Sequence, residues 1–187
     1  MGDNINTIKD LFDQLDRENI TFKKWSTLSC NYGCSLCCTD PEIEATILEF
    51  MPLAHDLYHK GLGLEYYQKL KELDSTECFL HNRVQSDGGF CSRYEHRGLI
   101  CRLFGFSART SKHALLELVT CNTIKTTQVL AYQHSVDEIS AGRNVLTMNQ
   151  YYMRLQSIDY EKSKEFFPIN IAILHAIESV LHYYAYR

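Results

Sequence analysis

The sequence has no run of about 18 consecutive apolar residues, so no stretch of it is expected to span a bilayer as a helix. It also lacks a basic start followed by an apolar run. Met1 to Leu15 instead carries Asp3, Asp10 and Asp13 among spaced apolar residues, which is not a signal-peptide pattern. Positive charge is not in surplus: 19 Lys and Arg face 23 Asp and Glu, for a net charge of −4. That weighs against a nucleic-acid groove, whose affinity comes from clustered cations releasing counterions. There is no internal repeat, low-complexity tract or linker. Together these absences predict one cytoplasmic domain over residues 1–187, with neither a membrane nor a nucleic acid as partner. A protein partner is left unidentified.

What the sequence does have is eight cysteines in 187 residues, with 45% hydrophobic and 22% charged residues, enough for a sizeable core. In a reducing compartment such a set points to metal ligation or redox chemistry before structural disulfides. Isolated cysteines are often small buried hydrophobes. Four of these, Cys30, Cys34, Cys37 and Cys38, fall within nine residues, a concentration that packing alone does not require.

Helical periodicity frames this cluster. Ile5, Ile8, Leu11, Phe12 and Leu15 give a first helix, and Thr21 to Leu28 reads as a strand or extended lead-in. After the cluster, Asp40 as N-cap and Pro41 at the first helical position predict a second helix. Its buried face is Ile43, Ile47, Leu48 and Met51, and Pro52 is expected to end or kink it. Leu64 to Leu73 makes a third. Residues 74–111 lack a sustained period and carry Cys78, Cys91 and Cys101 among Gly88, Gly89, Gly98 and Gly105. Such a segment needs an outside constraint, and metal ligation is one, because binding free energy becomes folding free energy. Ala114 to Thr120 reads as a strand delivering Cys121. Ser135 is expected to cap a short helix ending near Gly142, followed by helices over Thr147 to Ile158 and Ile169 to Tyr184. The expected fold class is mainly α, α+β with little strand: about six helices around a loop-rich, cysteine-bound metal centre. The motif-bearing part is about 28–121, and the C-terminal part, 135–187, is helical.

Thiolates two or three residues apart converge when the chain turns tightly, which Gly33 would permit. Sulfur-only ligands select zinc, copper(I) or iron–sulfur clusters. Tetrahedral zinc and a cluster both take four thiolates, and spacing does not separate them. Cys37 and Cys38 can serve one centre only if the backbone bends between them. With Cys78, Cys91, Cys101 and Cys121, the thiols suffice for two four-cysteine sites, or for one site with redox-active spares. His55 and His59 lie four apart on a helix, but the glutamate of an HExxH site is missing and a surface pair is expected. His81 and His96 are candidate ligands or supports. Arg93, Arg97 and Arg102 are placed to stabilise thiolate charge, or to make ordinary ion pairs. Trp25, Phe79, Phe90, Phe104 and Phe106 could shield a cluster from water or serve as plain core. The all-thiolate set and these aromatics favour an iron–sulfur cluster over zinc.

Two resemblances rest on these residues. Thr27-Leu-Ser-Cys30-Asn-Tyr-Gly-Cys34-Ser-Leu-Cys37 resembles the CxxxCxxC loop of radical SAM enzymes, in which three cysteines bind a [4Fe–4S] cluster. The chain that follows lacks that family's alternating strands and helices. The second covers more. Cys34-Ser-Leu-Cys37-Cys38, then Cys78-Phe-Leu, Gly89-Phe-Cys91-Ser-Arg-Tyr-Glu-His-Arg97 and Leu99-Ile-Cys101-Arg-Leu-Phe-Gly105 resemble the YkgJ-type cysteine-cluster family, whose CxxCxxCC domain chelates zinc or iron. Cys121 fits a further cysteine seen in members. The first interval is three residues where the family's name implies two, and Gly98 stands where a proline is usual. The resemblance implies metal ligation by Cys30, Cys34, Cys37, Cys38, Cys78, Cys91, Cys101 and Cys121 in a small helical domain, with a structural or redox role. Alternatives are an iron–sulfur enzyme, radical SAM-like or linked to protein lysine methylation, and a thiol-based metal buffer or sensor.

Overall fold

A computed structural model describes residues 1–30, 34–83 and 89–186. Gly33 and Gly88 therefore lie outside the described residues, as does most of the loop after His81. The chain is mainly α-helical with short antiparallel strands, and its described residues form eight α-helices where about six were expected.

α1 runs from Gly2 to Ser26 and buries Ile5, Ile8, Leu11, Phe12 and Leu15 as its spacing predicts. It continues through the segment read as a strand or lead-in. The apolar pattern breaks there because two buried positions, Asn19 and Ser26, are polar and each makes a hydrogen bond. Asn19 Nδ2 donates to the Arg102 carbonyl at 2.8 Å, and Ser26 Oγ accepts from the Leu28 amide at 3.2 Å. Thr27, in the left-handed conformation at φ 56°, ends the helix.

The segment after the cysteine cluster differs from the expected helix. Asp40 does cap, but it caps a turn, its Oδ1 accepting from Glu42 N at 2.9 Å. Glu44–Ala45 then forms β1, and Ile47–Phe50 a 3-10 turn. Thr46 and Glu49 close a capping box on that turn, and α2 follows over Met51–His59. Pro52 thus sits in the first turn of α2, where its missing N–H costs nothing, and opens the helix instead of ending one. α3 is Gly63–Lys71.

The loop-rich stretch is pinned by two hairpin-like pairs and a short helix. β2 (His81–Asn82) pairs with β3 (Phe90–Cys91), His81 opposite Cys91. α4 is Leu99–Leu103. β4 (Ser107–Thr110) pairs with β5 (Leu116–Val119), the strand expected to deliver Cys121. α5 (Asn122–Thr127) and α6 (Val129–Ser140) follow. Ser135 lies inside α6, its hydroxyl donating back to the Ala131 carbonyl at 2.7 Å, so it is no N-cap. α7 (Met148–Gln156) is capped by Thr147, and α8 (Ile169–Ala185) follows β6 (Phe167–Pro168), which pairs with β1.

Two hydrophobic cores result. The larger gathers α1, α2, α7 and α8 around Ile8, Leu15, Phe50, Leu53, Leu57, Leu155 and Ile173, with α3 packed on α8. The smaller lies beneath the β4–β5 hairpin and α6, around Phe22, Leu28, Phe106, Ala108, Ile124 and Ile139. None of the described helices is long and apolar enough to cross a membrane.

Candidate metal centre

The backbone brings the scattered cysteines to one place by identifiable bonds. Leu36–Cys38 is a 3-10 turn, in which the Cys38 amide donates to the Ser35 carbonyl at 2.8 Å. This is the bend that lets neighbours Cys37 and Cys38 face one space. The Cys38 carbonyl then accepts from the Cys78 amide at 2.9 Å, and the Cys78 carbonyl from the His81 amide at 2.9 Å. Through β2 and β3 that chain of bonds reaches Cys91. Cys101 comes from α4. On the other side, Gln128 clasps Ser29: its Oε1 accepts from Ser29 N at 3.0 Å, and its Nε2 donates to Ser29 O at 2.6 Å. The clasp ties the residue before Cys30 to the far end of α5, whose N-cap is Cys121, its sulfur accepting from Ile124 N at 3.4 Å.

All eight cysteines line a single cavity of about 760 Å³. Its wall also includes Phe50, Leu80, Phe90, Phe104 and Phe106, with Lys23, Arg97 and Arg102 as cations. The cysteines are free thiols. They ring the cavity instead of meeting at a point: among the described residues, no three His, Cys, Asp or Glu side chains converge on one metal-sized position.

The thiols are not alike. The Cys37 thiol is lowered to about 6, chiefly by its hydrogen bond with the Cys38 thiol, with help from Arg97 and His81, against the opposing effect of burial. Cys38, the other half of that pair, is pushed up by the same bond and then by burial. Burial raises Cys78 to about 11 and also raises Cys91 and Cys101. Cys30 is raised to about 11 by burial and then by its neighbour Cys34. Burial of most of these thiols disfavours bare thiolates, and a bound cation would add compensating charge to that of Lys23 and Arg97 in the wall. The residues present fit a thiophilic metal or cluster on this ground.

The histidines read as candidates are engaged elsewhere. The His81 ring, only 3% exposed, meets Ser35 Oγ at 2.9 Å and Glu77 at 3.7 Å. His96 faces Asp56 at 3.4 Å. His55 and His59 are the expected surface pair, their Nε2 atoms 3.0 Å apart beside the Tyr184 hydroxyl. Of the three arginines, Arg97 lines the cavity and acts on Cys37 and Cys91. Arg102 is buried and committed to the Arg97 and Glu95 carbonyls and to Asp16. Arg93 donates to the Tyr66 hydroxyl at 2.9 Å. Phe90, Phe104 and Phe106 do face the cavity. Trp25 instead packs edge-on to Phe22 and under Arg143, and Phe79 edge-on to Tyr66.

Glu49 was not anticipated from the sequence. It is fully buried, accepts from Thr46 N and Ile100 N at 2.8 Å each, and is raised to about 7 by burial. It thereby fixes the start of α4 just before Cys101. Its signal was present as Thr46-Ile-Leu-Glu49, the Thr-x-x-Glu spacing of a capping box.

Comparison with curated proteins and with solved structures gives no match. The family model CxxCxxCC, described as a "putative zinc- or iron-chelating domain", matches residues 29–132. That span is more than half of the chain and contains all eight cysteines. The thiol-lined cavity and this match lead to one conclusion: the chain belongs to the CxxCxxCC family of metal-chelating cysteine-cluster domains.

Proposed function

We propose that residues 1–187 form one domain that holds an iron–sulfur centre through its cysteines, with a structural or electron-transfer role. The observation that carries this reading is the convergence of all eight cysteines on one cavity of about 760 Å³. A mononuclear zinc ion with sulfurs about 2.3 Å away fills only a small part of such a space. A polynuclear core, held by thiolates spaced around it, suits a ring of donors better than a point of convergence. Phe50, Phe104 and Phe106 give part of the wall an apolar face. Bound there, an iron–sulfur cluster supplies one-electron redox chemistry. The chain's own part is to position the thiolates and to offset their charge with Arg97 and Lys23. Zinc is the second reading, favoured by the same thiol set and by the family's description.

The test is anaerobic purification followed by iron, zinc and acid-labile sulfide assays and a visible spectrum. A brown protein with sulfide equal to iron is the expected result. Stoichiometric zinc in a colourless protein would replace the cluster by zinc, and a folded, metal-free, colourless protein would sink both readings.

A further inference from the structure

Five of the eight thiols pack with one core or the other. Cys78 belongs to the larger core, and Cys38, Cys91 and Cys101 pack against it. Cys121 packs against the smaller one. The backbone bonds divide in the same way. Cys38, Cys78 and Cys91 are joined through Cys78 N to Cys38 O, His81 N to Cys78 O and the His81–Cys91 pairing. Cys30 is joined instead through Ser29 and Gln128 to the end of α5, the helix that Cys121 caps at its start. Charge proximity agrees: Cys30 senses Cys34, Cys37 and Cys121, whereas Cys101 senses Cys78, Cys37 and Cys91. Cys37 is common to both groups.

Resting on the metal-binding reading above, we infer that the cavity holds two thiolate-bound metal centres: a buried one on Cys38, Cys78, Cys91 and Cys101, and an outer one on Cys30, Cys34 and Cys121, with Cys37 between them. Four protein thiolates close the buried site, whereas three leave the outer site a coordination position for Cys37 or for an outside ligand. The outer group is also the less firmly held. Cys30 is exposed and its segment is clasped by a single glutamine, so its metal exchanges faster.

The experiment compares metal content and chelator release in the full-length wild type and in Cys30→Ser/Cys121→Ser, a variant that leaves the larger core untouched. The wild type should lose metal to excess chelator in two phases. The variant should purify folded, by far-UV circular dichroism, with about half the metal and only the slow phase. Cys34→Ser alone should speed the fast phase and spare the slow one, which keeps the test open if the double variant does not fold. Single-phase release from the wild type, or loss of all metal from a folded double variant, would overturn the two-centre assignment while leaving metal binding intact. A wild type that carries no metal would overturn the underlying reading instead.

Discussion

At the scale of single residues, the account turns on what makes neighbouring thiols different. Cys37 and Cys38 are adjacent in sequence and share one hydrogen bond, yet that bond lowers one and raises the other. The thiolate is the reactive form of cysteine. With its thiol lowered to about 6, Cys37 is ionised above that pH and protonated below it. In metal-free, reduced protein, Cys37 should therefore be alkylated first at pH 7, with a rate that halves near pH 6. Cys30, raised to about 11, should lag. Cys38→Ala removes the hydrogen-bond partner and should move the Cys37 midpoint up toward the ordinary thiol range. Mass-mapped alkylation with iodoacetamide checks this, and equal midpoints for Cys37 and Cys30 would contradict it. The cysteine positions were legible in the sequence, because spacing displays ligand candidates. Their inequality was not, since it arises from a 3-10 turn and from Arg97, placed by a distant loop.

Elements bring these residues together through contacts that no local pattern displays. Arg102 is the clearest case. Read from sequence as one of three cations flanking the cysteines, it proves to be buried, and it ties α4 to α1. It donates to the Arg97 and Glu95 carbonyls, pairs with Asp16 and lies 4.9 Å from the Phe12 ring centroid. Lysine lacks the planar fork needed to reach all three acceptors. Arg102→Lys should thus destabilise the chain by about 2 kcal/mol, leaving buried carbonyls without donors. Urea denaturation measures this, and an unchanged midpoint would show that the link contributes nothing. The helices with strong apolar periodicity, α1, α7 and α8, were readable in advance. The segment from Pro41 to Pro52 was misread because helix-favouring residues there serve a turn, β1 and a 3-10 turn, whose pairing partners lie more than a hundred residues away at Phe167 and Pro168. The polar Asn19 and Ser26 hid the last turns of α1 for a related reason: their partners, not their hydropathy, suit them to burial.

For the molecule as a whole, two hydrophobic cores meet at a cavity whose wall is thiol-rich. A metal centre there would couple the cores, so ligand binding and stability should rise together. The sequence displayed the ligand types and the surrounding helices. It did not display the division of five of the thiols between two cores, which depends on how α5 and the β4–β5 hairpin fold back onto α1. The central claim is that the cysteines are held by metal as one cavity-bound set. The most direct test is position-resolved alkylation of the anaerobically purified, undenatured protein before and after a strong chelator. The account predicts that the cysteines are largely protected at first and that chelation exposes them, Cys30, Cys34 and Cys121 ahead of Cys78 and Cys101. Alkylation at the same rates with and without chelator would contradict it.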